Sequence, residues 1–97
     1  DNTINSGGVK IQIEQVEAAL KAHLDIPFQI TARKDAKFGE IVVLIYNKVK
    51  DEATVRQVCE ETLPPYWIPK AYIAVDELPM TGTGKPDRAT ARRLASL

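Results

Sequence analysis

The segment from Leu78 to Arg88 contains the side chain best suited to chemistry, that of Lys85. The residues just before this lysine are all glycine or threonine: Thr81, Gly82, Thr83 and Gly84. Glycine has no Cβ atom, so we expect a mobile loop that can approach a ligand closely. An ammonium group at the end of such a loop can act as a movable point charge against a phosphate or a carboxylate. Composition alone more often indicates a tight surface turn with a solvated lysine, and that alternative stays open.

The spacing within this segment excludes a Walker A phosphate-binding loop. Such a loop has the pattern G-x-x-x-x-G-K-[ST], in which the final Ser or Thr holds magnesium. Pro79 stands at the first glycine position, and Pro86 replaces the Ser or Thr. A different use of Lys85 is therefore required.

A second segment, near the N-terminus, could also contact a ligand. It consists of Ser6, Gly7, Gly8, Val9 and Lys10. Two adjacent glycines let the backbone lie flat against a slender molecule, because no Cβ atom intrudes. A plain β-turn between two short extended pieces explains the same residues, so this signal is weak when it stands alone.

Hydrophobic periodicity predicts the elements that position these two segments. The apolar residues Ile13, Val16, Leu20 and Leu24 recur at helical spacing and predict an amphipathic helix that stops before Pro27. The stretch from Phe28 to Ala32 alternates apolar with polar residues, which predicts a strand with one solvent-facing side.

The rest of the chain continues this mixed order. Residues 41–46 are apolar on both faces and predict a central strand. Asp51 is a candidate N-cap for a second helix, and residues 71–75 form a third strand candidate. Asp87 can cap a last helix that bears Ala91, Leu94 and Leu97. The predicted class is α+β, with an N-terminal β-hairpin, a small and mainly antiparallel three-stranded central sheet and about three packed helices.

Length and composition restrict the possible functions. The chain has 97 residues, 44% hydrophobic and 27% charged, and a formal net charge of zero. Such a chain forms one small domain that rarely encloses two substrates. The balanced charge gives no reason to expect nucleic acid or an acidic membrane surface as a partner. The longest apolar run is far shorter than the roughly 20 residues of a membrane span.

Single residues indicate the compartment and the kind of site. Cys59 is the only cysteine and His23 the only histidine. No intrachain disulfide is possible, which fits a reducing compartment, and we expect a cytoplasmic location. A lone histidine gives no reason to expect a metal site. No signal peptide is evident, and the first residue is Asp1 rather than Met, so we expect the chain to be part of something longer.

Three motifs follow one another along the chain and are more specific together than any one alone. The positions concerned are Asp1, Ile4, Gly7-Gly8, Lys10-Ile11 and Val16-Glu17, then Leu63-Pro64-Pro65-Tyr66 and Ile68-Pro69, then Leu78-Pro79, Thr81, Gly84-Lys85 and Arg88. In this order they resemble the C-terminal domain of the AMP-forming acyl-CoA synthetase and adenylation-domain superfamily. The resemblance covers residues 1–97. Three departures from the family pattern are Ile13 in place of Pro, Gln15 in place of Glu, and Pro86 in place of Ile or Val.

The resemblance implies a mobile lid that serves two half-reactions. A carboxylate first attacks the α-phosphate of ATP, with Mg²⁺, to give an acyl-adenylate, and a thiol then displaces AMP. By resemblance, Lys85 serves the first step, supported by its glycine and threonine loop. The lid would then rotate about a hinge at Asp1, and the segment from Ser6 to Lys10 would line the channel for the pantetheine arm of CoA.

The same resemblance implies partners and leaves alternatives. The ATP and acid pockets would belong to a large N-terminal domain of the same enzyme, so residues 1–97 alone are predicted to be inactive. The sequence around Gly7 is most similar to that of o-succinylbenzoate–CoA ligases of menaquinone biosynthesis. A fatty acyl-CoA synthetase or an adenylation domain that loads a carrier protein is an alternative. An unrelated small α+β binding module is a further one.

Overall fold

The most continuously apolar part of the sequence forms the central strand of one five-stranded sheet. The computed structural model describes residues 2–97, so the predicted hinge residue Asp1 lies outside the described part. The helices and strands, in chain order, are β1 (Thr3–Ser6), β2 (Val9–Gln12), α1 (Ile13–Lys21), β3 (Phe28–Asp35), β4 (Gly39–Asn47), α2 (Glu52–Thr62), β5 (Ala71–Val75) and α3 (Arg88–Ala95). A short 3₁₀ turn, Pro65–Trp67, precedes β5. The α+β class is confirmed.

Strand β4 holds the sheet together because three other strands pair with it. Strand β3 runs antiparallel to it along its full length, and β5 runs parallel to its second half. The β1–β2 hairpin is antiparallel and meets β4 at a single pair, Ser6 with Gly39. The predicted hairpin and mainly antiparallel three-stranded sheet therefore both exist, and they join at one end of β4.

Helices cover both faces of the sheet. The larger core lies under α1 and α2 and includes Ile30, Leu44, Val55 and Cys59, all buried. The smaller core, around Val43, lies under α3. A sheet covered on both sides buries alternate residues in both directions, which is why β4 is apolar throughout.

Strand β3 is buried on both faces, and the predicted solvent-facing side is wrong. Gln29 is 2% exposed and Thr31 is 3% exposed. They lie on the face that α3 and the segment before it cover, whereas Ile30 and Ala32 face the larger core. The alternation of apolar and polar residues predicted that the polar side chains face solvent. In the structure they are covered by α3 and the segment before it.

The helix ends differ slightly from the predicted ones, while the caps are confirmed. Helix α1 ends at Lys21, and Leu24 is buried from the turn that follows. Helix α3 buries Ala91 and Ala95, but Leu97 lies past its end and is 97% exposed. Asp51 and Asp87 each accept a hydrogen bond from the backbone N–H three residues later, the usual N-cap arrangement. Within residues 2–97, none of the helices has the length and apolar character needed to cross a membrane.

Candidate functional site

The loop that presents Lys85 is a closed hairpin and not an irregular loop. We call residues Pro79–Asp87 the Lys85 hairpin. The N–H of Gly84 donates to the carbonyl of Thr81 at 3.0 Å, and the N–H of Thr81 donates to the carbonyl of Lys85 at 2.7 Å. Gly84 has a φ of 82°, the left-handed conformation that favours glycine. This is the common three-residue hairpin loop, which ends in a left-handed residue.

Side chains reinforce the turn around Lys85. The hydroxyl of Thr81 accepts a hydrogen bond from the N–H of Lys85 at 3.2 Å and lies 3.0 Å from the hydroxyl of Thr83. Gly82 has no left-handed φ, and a Cβ atom there would meet nothing within 4 Å. Of the residues predicted to support Lys85, Thr81, Thr83 and Gly84 therefore shape the turn, and Gly82 leaves space beside it.

The ammonium of Lys85 is available for a ligand. The residue is exposed, and its side chain forms no salt bridge with the residues that the structure describes. A charge held on a structured turn without a competing carboxylate can meet an incoming anion with little rearrangement.

Two anchors fix the base of the Lys85 hairpin. The carbonyl of Pro79 accepts from the N–H of Asp87 at 3.0 Å and from Nε2 of Gln29 at 2.8 Å. Arg88, the next residue, donates two hydrogen bonds to the carboxylate of Glu17, at 2.7 and 2.8 Å. These bonds with Glu17 raise the pKa of Arg88. The same carboxylate accepts from the backbone N–H of Ile30 at 2.9 Å, which ties the hairpin to β3 through α1.

Sequence reasoning missed the roles of Gln29 and of Glu17. Gln29 was assigned to a solvent-facing side, and only the burial of that side shows that it faces the hairpin. Glu17 and Arg88 both belong to the recognised motifs, but they are 71 residues apart and nothing local pairs them.

The other predicted segment is the turn of the β1–β2 hairpin. Gly7 and Gly8 have φ values of 57° and 85°. Positive φ at both central residues defines a type I′ turn, which matches the twist of the flanking strands. The N–H of Gly7 donates to the carbonyl of Phe38 at 2.8 Å. A Cβ atom at Gly8 would meet nothing within 4 Å, so the turn presents bare backbone to its surroundings.

A groove of about 230 Å³ adjoins this glycine turn. It is lined by Ser6, Gly7, Val9, Phe38, Pro65, Tyr66 and Lys70. The Lys70 ammonium lies 3.9 Å from the centroid of the Phe38 ring. Tyr66 is 57% exposed. Aromatic faces beside a cation can hold a flat ring and an attached anion.

The structure keeps the two predicted segments apart. The Lys85 hairpin contacts β3 at Gln29, whereas the glycine turn contacts Phe38, beyond the other end of the strand. The seven residues from Gln29 to Asp35 span about 20 Å in an extended strand. The two segments therefore cannot serve one small ligand in one position of the domain.

The remaining candidate groups have structural surroundings. Cys59 is fully buried, and burial raises the pKa of its thiol to about 11. Arg92 forms an ion pair with Glu40, and Arg93 bonds Thr90 within its own helix. Residues 2–97 contain no group of three or more His, Cys, Asp or Glu side chains placed to hold a metal ion.

Comparison with known families identifies the class of domain. The family model described as AMP-binding enzyme C-terminal domain matches residues 15–85. Because the match covers most of the chain, the chain belongs to this family. The predicted superfamily is thereby confirmed, whereas specificity for o-succinylbenzoate is not shown.

Individual relatives include both acid–CoA ligases and peptide synthetases. The chain is 32% identical to 2-methylpropanoate–CoA ligase CCL4 of Humulus lupulus, over 97% of this chain and 18% of that protein. It is 32% identical to gramicidin S synthase 1 of Brevibacillus brevis, over 91% of this chain and 8% of that protein. The AMP-forming acyl-CoA synthetase/AMP-acid ligase II-like protein of Dyadobacter fermentans has a similar fold, with a TM-score of 0.82 and 29% identity over 99% of this chain and 30% of that one. The chain thus spans less than a third of each of these proteins.

Proposed function

We propose that residues 1–97 are the lid domain of a longer AMP-forming carboxylic acid–CoA ligase. The observation that carries the proposal is the exposed Lys85 ammonium on a hydrogen-bonded hairpin, without an ion pair to any residue from 2 to 97. The family of the domain supports it, because its relatives include acid–CoA ligases. In this proposal the ATP and acid pockets belong to a large N-terminal domain, and the lid completes the site that they form.

Lys85 would act during adenylation. Its ammonium would lie between the acid carboxylate and the α-phosphate of ATP, two anions that repel each other. A fixed positive charge there offsets the repulsion and stabilises the charge that builds on the phosphate oxygens. In this proposal Mg²⁺ would be bound together with ATP by the N-terminal domain.

The glycine turn would act during thioester formation. Bare backbone at Gly7 and Gly8 leaves room for the narrow pantetheine arm, between Ser6 on one side and Val9 and Lys10 on the other. The adjoining groove supports CoA over a carrier protein as the acceptor, since Tyr66 and Lys70 offer an exposed ring and a cation at its edge. Rotation of the lid about Asp1 would exchange Lys85 for this turn, which fits their anchoring at opposite ends of β3.

The identity of the acid stays a separate proposal. Among acid–CoA ligases we favour o-succinylbenzoate as the substrate, because of the residues around Gly7. A fatty acid, or an amino acid passed to a carrier protein, fits the relatives equally well. A panel of carboxylic acids assayed with the full-length enzyme, ATP and CoA separates these options. The proposed cytoplasmic location rests on the single free thiol of Cys59 and stays a prediction.

Lys85→Ala in the full-length enzyme tests the proposed function. We expect acid-dependent pyrophosphate exchange to fall about a hundredfold or more, while preformed acyl-adenylate is still converted to thioester. Lys21→Ala, which removes an exposed lysine from the end of α1, is the matched control and should leave both rates unchanged. Unchanged exchange in Lys85→Ala would overturn the proposed role of Lys85 in adenylation.

The isolated chain provides a second test. Residues 1–97 should show no ligase activity and at most weak ATP binding, because the nucleotide pocket would lie on the other domain. Strong, saturable chemical-shift changes centred on Lys85 at millimolar ATP would contradict this assignment of the pocket.

A further inference from the structure

One side chain connects the sheet to the Lys85 hairpin, and it is Gln29 of β3. Its Nε2 atom donates to the carbonyl oxygen of Pro79 at 2.8 Å and lies 3.6 Å from the sulfur of Met80. Within residues 2–97, no other side chain of the sheet forms a hydrogen bond with residues 78–86. The position of this hairpin over β3 therefore depends on a single directed contact from the strand.

The contact is placed where it can control the whole hairpin. The Pro79 carbonyl also accepts the N–H of Asp87, the bond that closes the base of the hairpin. From there the short bonds between Thr81 and Lys85 continue to the tip. Because the turn is closed by its own hydrogen bonds, a shift at Pro79 moves the backbone of Lys85 with it.

Packing alone does not explain a glutamine at position 29, because its side chain buries a polar atom without a hydrogen-bond partner. Its Nε2 must face the Pro79 carbonyl, since the reverse orientation would bring two acceptors together. Its Oε1 atom is then buried with no hydrogen-bond partner. The cost of an unsatisfied buried acceptor offsets the gain from the bond to Pro79. An unbranched apolar side chain of similar length should therefore stabilise the fold equally well.

We propose that Gln29 is a positioning residue for Lys85. It sets the distance and angle of the hairpin relative to the sheet, so that the ammonium reaches the reacting carboxylate and phosphate. This inference rests on the proposed function of Lys85. A misplacement of about 1 Å can slow a reaction by about a hundredfold, so even a small shift of the hairpin would be measurable.

Gln29→Met in the full-length enzyme removes the donor and keeps an unbranched side chain of similar length. We expect kcat for adenylation to fall about tenfold, with KM for ATP and acid unchanged, because Gln29 touches neither pocket. Conversion of preformed adenylate and the melting temperature should also stay unchanged. Thr31→Val is the matched control, since Thr31 is buried on the same face but does not bond the hairpin. Equal kcat values in the two variants would overturn the proposal.

The double variant Gln29→Met/Lys85→Ala separates positioning from general damage. If Gln29 acts only through Lys85, the double variant should be no slower than Lys85→Ala alone. A further tenfold loss would overturn the proposal. If Lys85→Ala itself leaves adenylation intact, the proposed function and this inference both fail. If Lys85→Ala is slow and Gln29→Met is not, the inference alone fails.

Gln29→Glu keeps the proposal testable if Gln29→Met folds poorly. Burial raises the pKa of the introduced carboxyl, and its protonated form can donate to the Pro79 carbonyl. The ratio of the adenylation rate of Gln29→Glu to that of the wild type should then rise as the pH falls from about 8 to about 6. A ratio that does not change with pH would overturn the proposal.

Discussion

The two glycine-bearing hairpins are anchored in different ways. The turn at Gly7-Gly8 is held mainly by backbone bonds, since the N–H of Gly7 donates to Phe38 and β1 pairs with both β2 and β4. One side chain adds to them, because the Glu40 carboxylate accepts from the N–H of Asn5 at 2.9 Å. The Lys85 hairpin extends beyond the sheet, and side chains hold it: Gln29 at its incoming strand and Arg88 just past its end.

The difference matches what each hairpin is proposed to do. A channel wall has to be thin and fixed, and glycines in a sheet-anchored turn provide both properties. A charge that stabilises developing charge has to be aimed, and its effect falls steeply with misplacement. Side-chain anchors set such an aim at a few positions, so single substitutions at those anchors should misplace the Lys85 hairpin.

Equal backbone strain in the two turns is the most direct test of the proposed difference between the two hairpins. Gly8 and Gly84 have almost the same φ, 85° and 82°, and a Cβ atom at either meets nothing within 4 Å. Alanine at each should therefore cost a similar amount of folding energy, about 1–2 kcal/mol. In the full-length enzyme, Gly8→Ala should slow thioester formation and Gly84→Ala should slow adenylation, each by roughly ten- to hundredfold. The two half-reactions are measured separately, by pyrophosphate exchange and from preformed adenylate.

Gly82→Ala is the internal control for this pair. Gly82 lies in the same hairpin with open space around it and no left-handed φ. It should leave both half-reactions unchanged. Slowing of the same half-reaction by Gly8→Ala and by Gly84→Ala would remove the proposed division of labour between the hairpins.

Local rules predicted most of the fold. The Gly7-Gly8 turn, the caps at Asp51 and Asp87, and the apolar strand at residues 41–46 each depend on residues close together in the chain. Propensity, capping and periodicity act at that range, so a single sequence is enough to find them. The composition of its loop singled out Lys85, and the resemblance to a family added its role.

The anchors of the Lys85 hairpin could not be predicted in the same way. Alternation in β3 predicted that Gln29 faces water, because the pattern cannot show that a segment 50 residues later covers it. Opposite charges are common in the chain, and nothing local pairs Glu17 with Arg88. Sequence patterns thus found the group that does the proposed chemistry but not the contacts that aim it.

Arg88 anchors the Lys85 hairpin just past its C-terminal end, through its bonds to Glu17. Arg88→Met keeps the apolar stem and removes both hydrogen bonds to Glu17, so we expect the free energy of unfolding to fall by about 1.5 kcal/mol. Urea unfolding measures it. Arg93→Met is the control, because among residues 2–97 the Arg93 side chain bonds only Thr90 of its own helix, and it should change stability by less than about 0.5 kcal/mol. Equal losses in the two variants would show that the bond to Glu17 is not an anchor.

Acid should loosen the Lys85 hairpin at its Asp87 end. Hydrogen bonds from the Thr90 hydroxyl, at 2.7 Å, and from its N–H, at 3.1 Å, hold the pKa of Asp87 below its ordinary value of 3.8. As pH falls, the carboxyl of the unfolded chain takes up a proton first. The stabilisation by this cap is therefore complete above the ordinary pKa of Asp87 and is lost as pH falls through the pKa of the folded state.

The Thr90 amide signal in a ¹H–¹⁵N spectrum of the chain should titrate with a midpoint below 3.8. Asp87→Asn, which keeps a good cap without a titrating group, should abolish that transition. A Thr90 midpoint at or above the ordinary value would contradict the assignment of Asp87 as a titrating anchor of the Lys85 hairpin.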